Sequence, residues 1–188
     1  MSTLRIIAGK AKGMRIHTVP GDSTRPITDR AKESLFNIIS TDLIDTEWLD
    51  CYGGTGSVSI EALSRGAKSS TILDLHPLAI ETIKRNLTLT KFSQQCKVIK
   101  TDTLVFLKKI PNKSYDYVFI APPQYKGLWR KTIELLDNNP GWIAEDGWII
   151  VQIHPIEYQS IKFENFEEFD QRKYGSTLFV FYQRPLLE

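Results

Sequence analysis

The chain has 188 residues, of which 41% are hydrophobic and 24% charged, and its formal net charge is +2 at pH 7. These values predict one globular domain with a sizeable core. The sequence also excludes an integral membrane protein, because no apolar run approaches the ~20 residues of a membrane span. The opening residues lack the pattern of a secretion signal, so we expect a cytoplasmic protein without a membrane partner.

The cysteines and histidines argue against a disulfide framework and a metal centre. The only two cysteines, Cys51 and Cys96, are too few for a disulfide scaffold, and no Cys/His cluster has metal-ligand spacing. The three histidines, His17, His76 and His154, are scattered along the chain. We therefore predict a protein of the reducing cytosol that binds no metal.

The first elements combine a basic hairpin with an amphipathic helix. Loose alternation around two glycines predicts a short β-hairpin over residues 4–19. The first 20 residues hold no acidic residue and four cations, namely Arg5, Lys10, Lys12 and Arg15. Such a basic element fits contact with a phosphate backbone, although a solvated hairpin face explains it equally well on charge alone.

Thr28 can cap a helix that begins at Asp29. Its buried stripe would contain Ala31, Leu35, Ile38 and Ile39, and its opposite face Arg30, Ser34 and Asn37.

The rest of the chain alternates between strands and helices. We predict strands over 47–51, 70–75, 97–100, 115–120 and 147–153, and paired strands over 162–183. Helices are predicted over 57–65, from Pro77, near 104–109 and over 128–137. This order predicts an α/β fold: a mostly parallel sheet with helices on both faces and an antiparallel hairpin at its edge.

Three consecutive strand ends carry residues suited to a nucleoside ligand. The first strand runs into a glycine-rich turn with Asp50, Gly53, Gly54 and Gly56, where the backbone can approach a ligand closely. Asp74 ends the second strand and could accept both hydroxyls of a ribose. Asp102 ends the third strand, where an acceptor could meet an adenine amino group. Each signal alone also fits a tight turn or a solvated strand end, but their combination favours a nucleoside.

Two nucleoside cofactors share this geometry, and the sequence favours S-adenosylmethionine over NAD(P). The third glycine of a dinucleotide fingerprint would fall at Ser59, so that pattern is incomplete. An acid at Asp50 suits the sulfonium and amine of the methyl donor better than it suits a pyrophosphate. A dehydrogenase therefore remains the less favoured alternative.

Two segments resemble known methyltransferase motifs. Residues 49–56, LDCYGGTG, resemble the motif LDLFAGSG of class I S-adenosylmethionine-dependent methyltransferases. Residues 25–37, RPITDRAKESLFN, resemble the RPTxDRxxEALFN signature of the RsmD family, bacterial 16S rRNA guanine-N2 methyltransferases. Segments 4–13, 61–67 and 172–175 resemble the same family, so the similarity extends over nearly the whole chain.

The resemblance implies a Rossmann-like seven-stranded sheet with an RNA-contacting hairpin before it. We accordingly divide the chain into a basic β-hairpin extension over residues 1–24 and a methyltransferase domain over 25–188. The family implies S-adenosylmethionine over the glycine turn, with Asp74 on the ribose. It also implies that the segment Arg25–Asn37 lies over the cofactor, which makes Asn37 a cofactor-binding candidate. Arg25 and Arg30 join the four hairpin cations as RNA-binding candidates.

The chain departs from the family in its catalytic motif. Where the family has Asp-Pro-Pro-Tyr, this chain has Ala121, Pro122, Pro123, Gln124 and Tyr125. The absent carboxylate would help to align the poorly nucleophilic exocyclic amine of guanine, and its loss could slow the reaction by roughly 10²–10⁴-fold. The remaining candidates are backbone carbonyls near Ala121 and Pro122, the neutral oxygen of Gln124, and Tyr125 as a stacking surface for an extruded base.

Three interpretations of this departure stay open: a site that works with neutral acceptors, a changed target, or lost catalysis with retained binding. We favour a working enzyme that methylates guanine N2 in 16S rRNA, as a monomer acting on rRNA or the small ribosomal subunit. The alternatives are methylation of another amine, such as adenine N6 or a protein glutamine, and a catalytically impaired RNA-binding homologue.

Overall fold

The computed structural model describes residues 4–21 and 27–185. Within these ranges the chain forms a short hairpin, a larger sheet and five α-helices. The strands are β1 (Leu4–Arg5), β2 (Arg15–Ile16), β3 (Glu47–Asp50), β4 (Ser69–Asp74), β5 (Cys96–Lys100), β6 (Tyr115–Ile120), β7 (Ile143–Ile153), β8 (Glu167–Tyr174) and β9 (Thr177–Gln183). The helices are α1 (Asp29–Ile39), α2 (Ser57–Ser64), α3 (Pro77–Thr90), α4 (Thr103–Leu107) and α5 (Leu128–Asn138).

The larger sheet has seven strands in the order β5-β4-β3-β6-β7-β9-β8. The first five of these are parallel, and β9 and β8 join them as an antiparallel pair. Strands β1 and β2 form a separate antiparallel hairpin. This architecture confirms the predicted α/β class, the seven-stranded sheet, the terminal antiparallel pair and the small hairpin at the start of the chain.

Two apolar cores lie on opposite faces of the sheet. One core joins the hairpin, α1, α2 and α3 to the sheet, through side chains such as Ile6, Leu35, Ile60 and Ile83. The other joins α4 and α5 to the sheet, through residues such as Leu107 and Ile133. Burial on both faces explains the apolar runs at residues 117–120 of β6 and 148–151 of β7.

Helix α1 begins where the sequence predicts, but its buried face differs. The Thr28 side chain accepts a hydrogen bond from the backbone N–H of Ala31 and so caps the helix. The buried positions include Lys32 and Phe36, whereas Ile38 is only half-buried. The buried face of α1 is therefore shifted to one side of the predicted apolar stripe. It includes Lys32, which the sequence pattern places outside that stripe.

The hairpin packs tightly against α2. The backbone N–H of Lys10 donates to the Ser64 carbonyl at 2.8 Å, and the Ser64 hydroxyl donates to the Ala8 carbonyl at 2.6 Å. A side chain at Gly9 would place its Cβ only 1.8 Å from that Ser64 carbonyl oxygen. The described part of the hairpin thus shares a core with the sheet, while the predicted division between residues 24 and 25 lies outside the described residues and stays a prediction.

A fully buried carboxylate fixes the hairpin to α2. Glu61 accepts backbone hydrogen bonds from Ile7 at 2.8 Å and Ala8 at 3.0 Å. It also accepts the Arg65 Nε–H at 2.8 Å. Its side chain has no exposed surface, so these donors replace the water that an ionised carboxylate otherwise requires.

Lys32 completes this cluster from α1. Its Nζ lies 2.7 Å from the Arg5 carbonyl oxygen, 2.9 Å from the Ser57 hydroxyl and 3.5 Å from Glu61 Oε2. Burial lowers the pKa of Lys32, and the negative charges of Glu61 and Asp29 oppose that shift. The cluster therefore ties together the hairpin, α1 and the first residue of α2.

We predict that Glu61→Ala lowers the free energy of unfolding by about 3–5 kcal/mol, because it leaves the Lys32 charge buried without its partner. Urea denaturation monitored by circular dichroism measures the loss. Glu134→Ala is the control, since Glu134 forms an exposed pair with Arg130, and such pairs contribute only ~0–1 kcal/mol. Equal losses in the two variants would contradict the assigned role of the buried pair.

Candidate functional site

A cavity of about 1270 Å³ opens at the carboxyl ends of the parallel strands. Its wall combines the turn after β3, the ends of β4 and β5, and the loop after β6. Ligands of open α/β sheets bind at this edge. Residues from these four segments meet around one space, together with residues 19–21 and others from β7.

In the glycine turn after β3, each glycine has a different structural role. A Cβ at Gly53 would lie 2.2 Å from the Ile72 side chain, so this glycine permits close packing against β4. Gly54 has a φ of 55° and open space where a side chain would be, which leaves its backbone accessible to a ligand. Gly56, with a φ of 77°, begins α2 and faces Ile83 rather than the cavity.

Asp74 organises the turn as well as lining the cavity. One carboxylate oxygen accepts the Gly54 N–H at 2.9 Å, and the other accepts the His76 N–H at 2.8 Å. Each carboxylate oxygen can accept more than one hydrogen bond. Asp74 therefore keeps acceptor capacity for the two hydroxyls of a ribose.

Asp102 lies further along the same edge and caps α4. Its Oδ1 accepts the backbone N–H groups of Leu104 at 2.7 Å and Val105 at 3.1 Å. The cap fixes the carboxylate at the cavity wall, where the sequence predicts an acceptor for an adenine amine. A cap and a ligand contact are compatible, because they can use different lone pairs.

Asp50 is a buried acid at the base of the cavity. Its carboxylate accepts the Ser59 hydroxyl at 2.9 Å and the Tyr52 N–H at 3.3 Å. Burial raises the pKa of Asp50 to about 7, against those two hydrogen bonds, and the charge of Asp74 raises it further. Asp50 therefore titrates near neutral pH, and a cationic ligand beside it would favour its ionised form.

Asn86 connects the cavity to the hairpin, and the sequence pattern does not predict its role. Its side chain accepts the His17 N–H at 2.8 Å and donates to the His17 carbonyl at 3.0 Å. The amide thus pairs with the His17 backbone in the way that a residue of a neighbouring strand would. It also donates to the Thr55 carbonyl at 2.9 Å. The signal in the sequence is an amide on the buried face of α3, between Ile83 and Leu87.

The loop after β6 forms the opposite wall. All five predicted motif residues line the cavity; Ala121 and Pro122 are half-buried, and Pro123, Gln124 and Tyr125 are exposed. Tyr125 has a φ of 61°, and its backbone N–H donates to Glu157 Oε2 at 2.7 Å. Its ring centroid lies 6.0 Å from that of His154. Residues after β7 thus support the loop.

The structure corrects the expectation for Asn37. This residue lies exposed on α1 and does not line the cavity. The reason is that α1 turns its other face toward the core, while Ile27, before the helix, reaches the cavity wall. The segment therefore touches the cavity through its beginning and not through its end.

The predicted RNA-binding cations occupy different surroundings. Arg5 is exposed and pairs with Asp29 at 2.8 Å, and Lys10, Lys12, Arg15 and Arg30 are also exposed. Arg25 lies outside the described residues.

Over residues 4–21 and 27–185, no group of three or more His, Cys, Asp or Glu side chains is arranged to hold a metal ion. In the same part of the chain, no helix combines the length and apolar character needed to cross a membrane.

Sequence comparisons identify a matching family model and similar proteins. A family model described as "Conserved hypothetical protein 95" matches residues 4–183. Two similar proteins are each named "Ribosomal RNA small subunit methyltransferase D". The protein from Buchnera aphidicola is 38% identical over 151 residues, which cover 80% of this chain and 78% of that protein. The protein from Escherichia coli K12 is 33% identical over 149 residues, 79% and 74% of the two chains.

A solved structure agrees with these sequence similarities. The Escherichia coli protein yhhF, provisionally described as a methyltransferase, superposes with a TM-score of 0.86 and 30% sequence identity. The match covers 97% of this chain and 98% of that chain. The similarity therefore includes both the hairpin region and the seven-stranded sheet.

We predict that Asn86→Ala weakens S-adenosylhomocysteine binding about tenfold, because the glycine turn must then be ordered on binding at a cost of roughly one residue's backbone entropy. Isothermal titration calorimetry measures the dissociation constant. Asn139→Ala is the matched control, since its amide also donates to two backbone carbonyls, those of Leu107 and Lys109, away from the cavity. An unchanged affinity in Asn86→Ala would contradict a link between this side chain and the turn.

Proposed function

The chain belongs to the RsmD family of ribosomal RNA small subunit methyltransferases, and from this premise we propose that it methylates the exocyclic N2 amine of a guanine in 16S rRNA. The methyl donor in this proposal is S-adenosylmethionine. The partner is the rRNA itself or the small ribosomal subunit, and we expect the enzyme to act as a cytoplasmic monomer without a metal ion.

The observation that carries the proposal is the position of two loops on neighbouring strands. Strands β3 and β6 are paired in parallel, with Asp50 opposite Phe119. The glycine turn that follows β3 and the Pro-Pro loop that follows β6 therefore leave the sheet side by side. A donor held by the first loop and an amine held by the second would meet in the cavity between them.

The residues of the cavity fit the methyl donor. Gly54 leaves its backbone open, Asp74 keeps acceptor capacity for a ribose, and Asp102 offers an acceptor for adenine. Asp50 places an ionisable acid in the cavity wall. When bound, S-adenosylmethionine supplies a methyl group activated by a positively charged sulfur. The acid at Asp50 would stabilise this positive charge.

The loop after β6 would receive the target base. A base buried in an RNA helix must leave its stack before its amine can reach a donor. The exposed ring of Tyr125 provides an aromatic surface for such a base, and the carbonyls near Ala121 and Pro122 can accept N–H bonds from its amine. These groups act by alignment, since carbonyl oxygens do not take up a proton at neutral pH.

The exposed cations of the hairpin would hold the RNA backbone. Lys10, Lys12 and Arg15 lie on the described hairpin, and Arg30 lies in the first turn of α1. Arg5 and Arg25 remain further candidates from the sequence. Phosphate contacts of this kind position the substrate without reading its sequence. The bound nucleotide would then be selected by the shape of the RNA and by the cavity.

We predict that the purified protein transfers methyl groups to small ribosomal subunits prepared from cells that lack this gene. Mass spectrometry of nucleosides would then show N2-methylguanosine gained in 16S rRNA. Double-stranded DNA and a glutamine-containing release factor serve as parallel substrates. Methylation of adenine N6 or of glutamine instead would contradict the proposed substrate, and binding of subunits without transfer to any substrate would indicate an RNA-binding homologue.

We predict that the affinity for S-adenosylmethionine increases as the pH rises through about 7. The cation favours ionised Asp50, so binding releases a proton where the acid is protonated in the free protein, and the affinity falls by up to about tenfold per pH unit below its pKa. Calorimetry from pH 6 to pH 8 measures the ratio of the dissociation constants of S-adenosylmethionine and S-adenosylhomocysteine. The ratio isolates the effect of the sulfonium charge on binding, because both ligands carry the same amine.

Asp50→Asn should remove this pH dependence, whereas His76→Gln should retain it. The second variant is needed because His76 also lies on the cavity wall. A ratio that is independent of pH in the wild type, or a dependence that disappears only with His76→Gln, would exclude the assigned role of Asp50.

A further inference from the structure

Gln152 is a polar side chain within the apolar second half of β7, at the cavity wall. It lies on β7 between Val151 and Ile153, both of which are buried. Its side-chain oxygen is shielded from solvent and accepts no hydrogen bond from any residue in the described part of the chain. Shielded amide oxygens almost always have a partner. The missing partner points to a hydrogen supplied by a ligand.

The register of the sheet places Gln152 beside the position of the absent carboxylate. Strands β6 and β7 are parallel and pair Ile120 with Val151, so the next positions, Ala121 and Gln152, are neighbours. Neighbouring strands are about 4.8 Å apart. Side chains alternate along a strand, and both Ala121 and Gln152 extend from the face that also holds Phe119 and Ile150.

The surroundings of Gln152 explain why its amide oxygen accepts no hydrogen bond from the described residues. Its neighbour on the other side, on β9, is Phe179, which is fully buried. Phe119 lies two positions before Ala121 on the same face and also lines the cavity. Aromatic rings on both flanks offer no N–H group to the amide oxygen, and the small side chain of Ala121 leaves the approach from the cavity free of a competing carboxylate.

We propose that Gln152 is a catalytic residue of this enzyme, whose Oε1 accepts an N–H of the target amine and orients it toward the donor in place of the carboxylate absent at Ala121. The inference rests on the proposed function, since it names the group that acts on the same substrate. No hydrogen bond from the described residues holds this oxygen, so the amide can orient it toward a ligand in the cavity.

The role of Gln152 in the transfer is orientation and not proton removal. The bond between the methyl carbon and sulfur breaks as the bond between that carbon and the amine nitrogen forms. The nitrogen becomes positively charged and then loses a proton to water at the mouth of the cavity, because a carboxamide is too weak a base to take it. Gln152 contributes by holding the nitrogen lone pair in line with the methyl group.

Gln171 is the matched comparison outside the cavity. It has the same side chain, but it lies exposed on the edge strand β8 and does not line the cavity. Gln152 lies on a central strand that is paired on both sides. Groups on rigid elements at the site hold a substrate in a defined orientation, so transfer should depend on Gln152 and not on Gln171.

The test uses small ribosomal subunits and radiolabelled S-adenosylmethionine under single-turnover conditions. We expect Gln152→Ala to lower the transfer rate by about 10²-fold. Its dissociation constants for S-adenosylhomocysteine and for the subunit should stay within about twofold of the wild type, since alignment acts on the reaction and not on binding. Gln171→Ala should change the rate by less than about threefold. Adding Ala121→Asp to Gln152→Ala should restore at least about tenfold of the lost rate, because it returns an acceptor to the neighbouring position.

Several outcomes would overturn the proposal. One is a Gln152→Ala rate within about threefold of the wild type. Another is a rate loss that follows weakened binding and that Ala121→Asp does not restore. Should Gln152→Ala fail to fold, the isosteric Gln152→Glu keeps the test decisive, because an acceptor at this position predicts retained transfer and its loss would refute the proposal. A wild type inactive on subunits would instead refute the proposed function, and this inference with it.

Discussion

The buried contact between Lys32 and Glu61 is the constraint on which the arrangement of the site depends. Two opposite charges removed from water are tolerated only when each has its partners, and here those partners come from three different elements. The hairpin supplies backbone N–H and carbonyl groups, α1 supplies the lysine, and α2 supplies the glutamate. Because Lys32 also contacts Ser57, the same cluster positions the start of the helix that follows the glycine turn.

The cavity shows how parallel strands concentrate chemistry contributed by distant parts of the sequence. Asp50, Asp74 and Asp102 lie at the carboxyl ends of three neighbouring strands, and each also forms hydrogen bonds that stabilise the local backbone or a side chain. The site is therefore largely formed before a ligand binds. Preformed acceptors need little ordering on binding, which favours affinity for the same number of contacts.

Much of the fold could be predicted from the sequence, because apolar periodicity reports which faces are buried. Thr28 as a cap, Pro77 as the first residue of α3 and the strand Tyr115–Ile120 all follow from local rules. The same periodicity cannot identify a polar residue on a buried face. Lys32 and Asn86 interrupt helical stripes, and their roles depend on partners that are distant in sequence.

The candidate site shows the same limit. The glycine turn, the three acids and the Pro-Pro loop carry recognisable residue types at strand ends, so the sequence predicts them together. Gln152 lies inside an apolar run, and only the strand register brings it next to Ala121. Asn37 shows the opposite limit, because the motif predicts a cofactor contact at a position that its helix exposes to solvent.

The three hydrogen bonds of Asn86 have a thermodynamic consequence for the order of events. They join His17 on the hairpin to Thr55 in the turn, so any rearrangement of one end changes the energy of the other. If RNA docking makes the turn more competent to bind the donor, linkage requires that the bound donor strengthen RNA docking by an identical factor. The enzyme would then favour the ternary complex over either binary one.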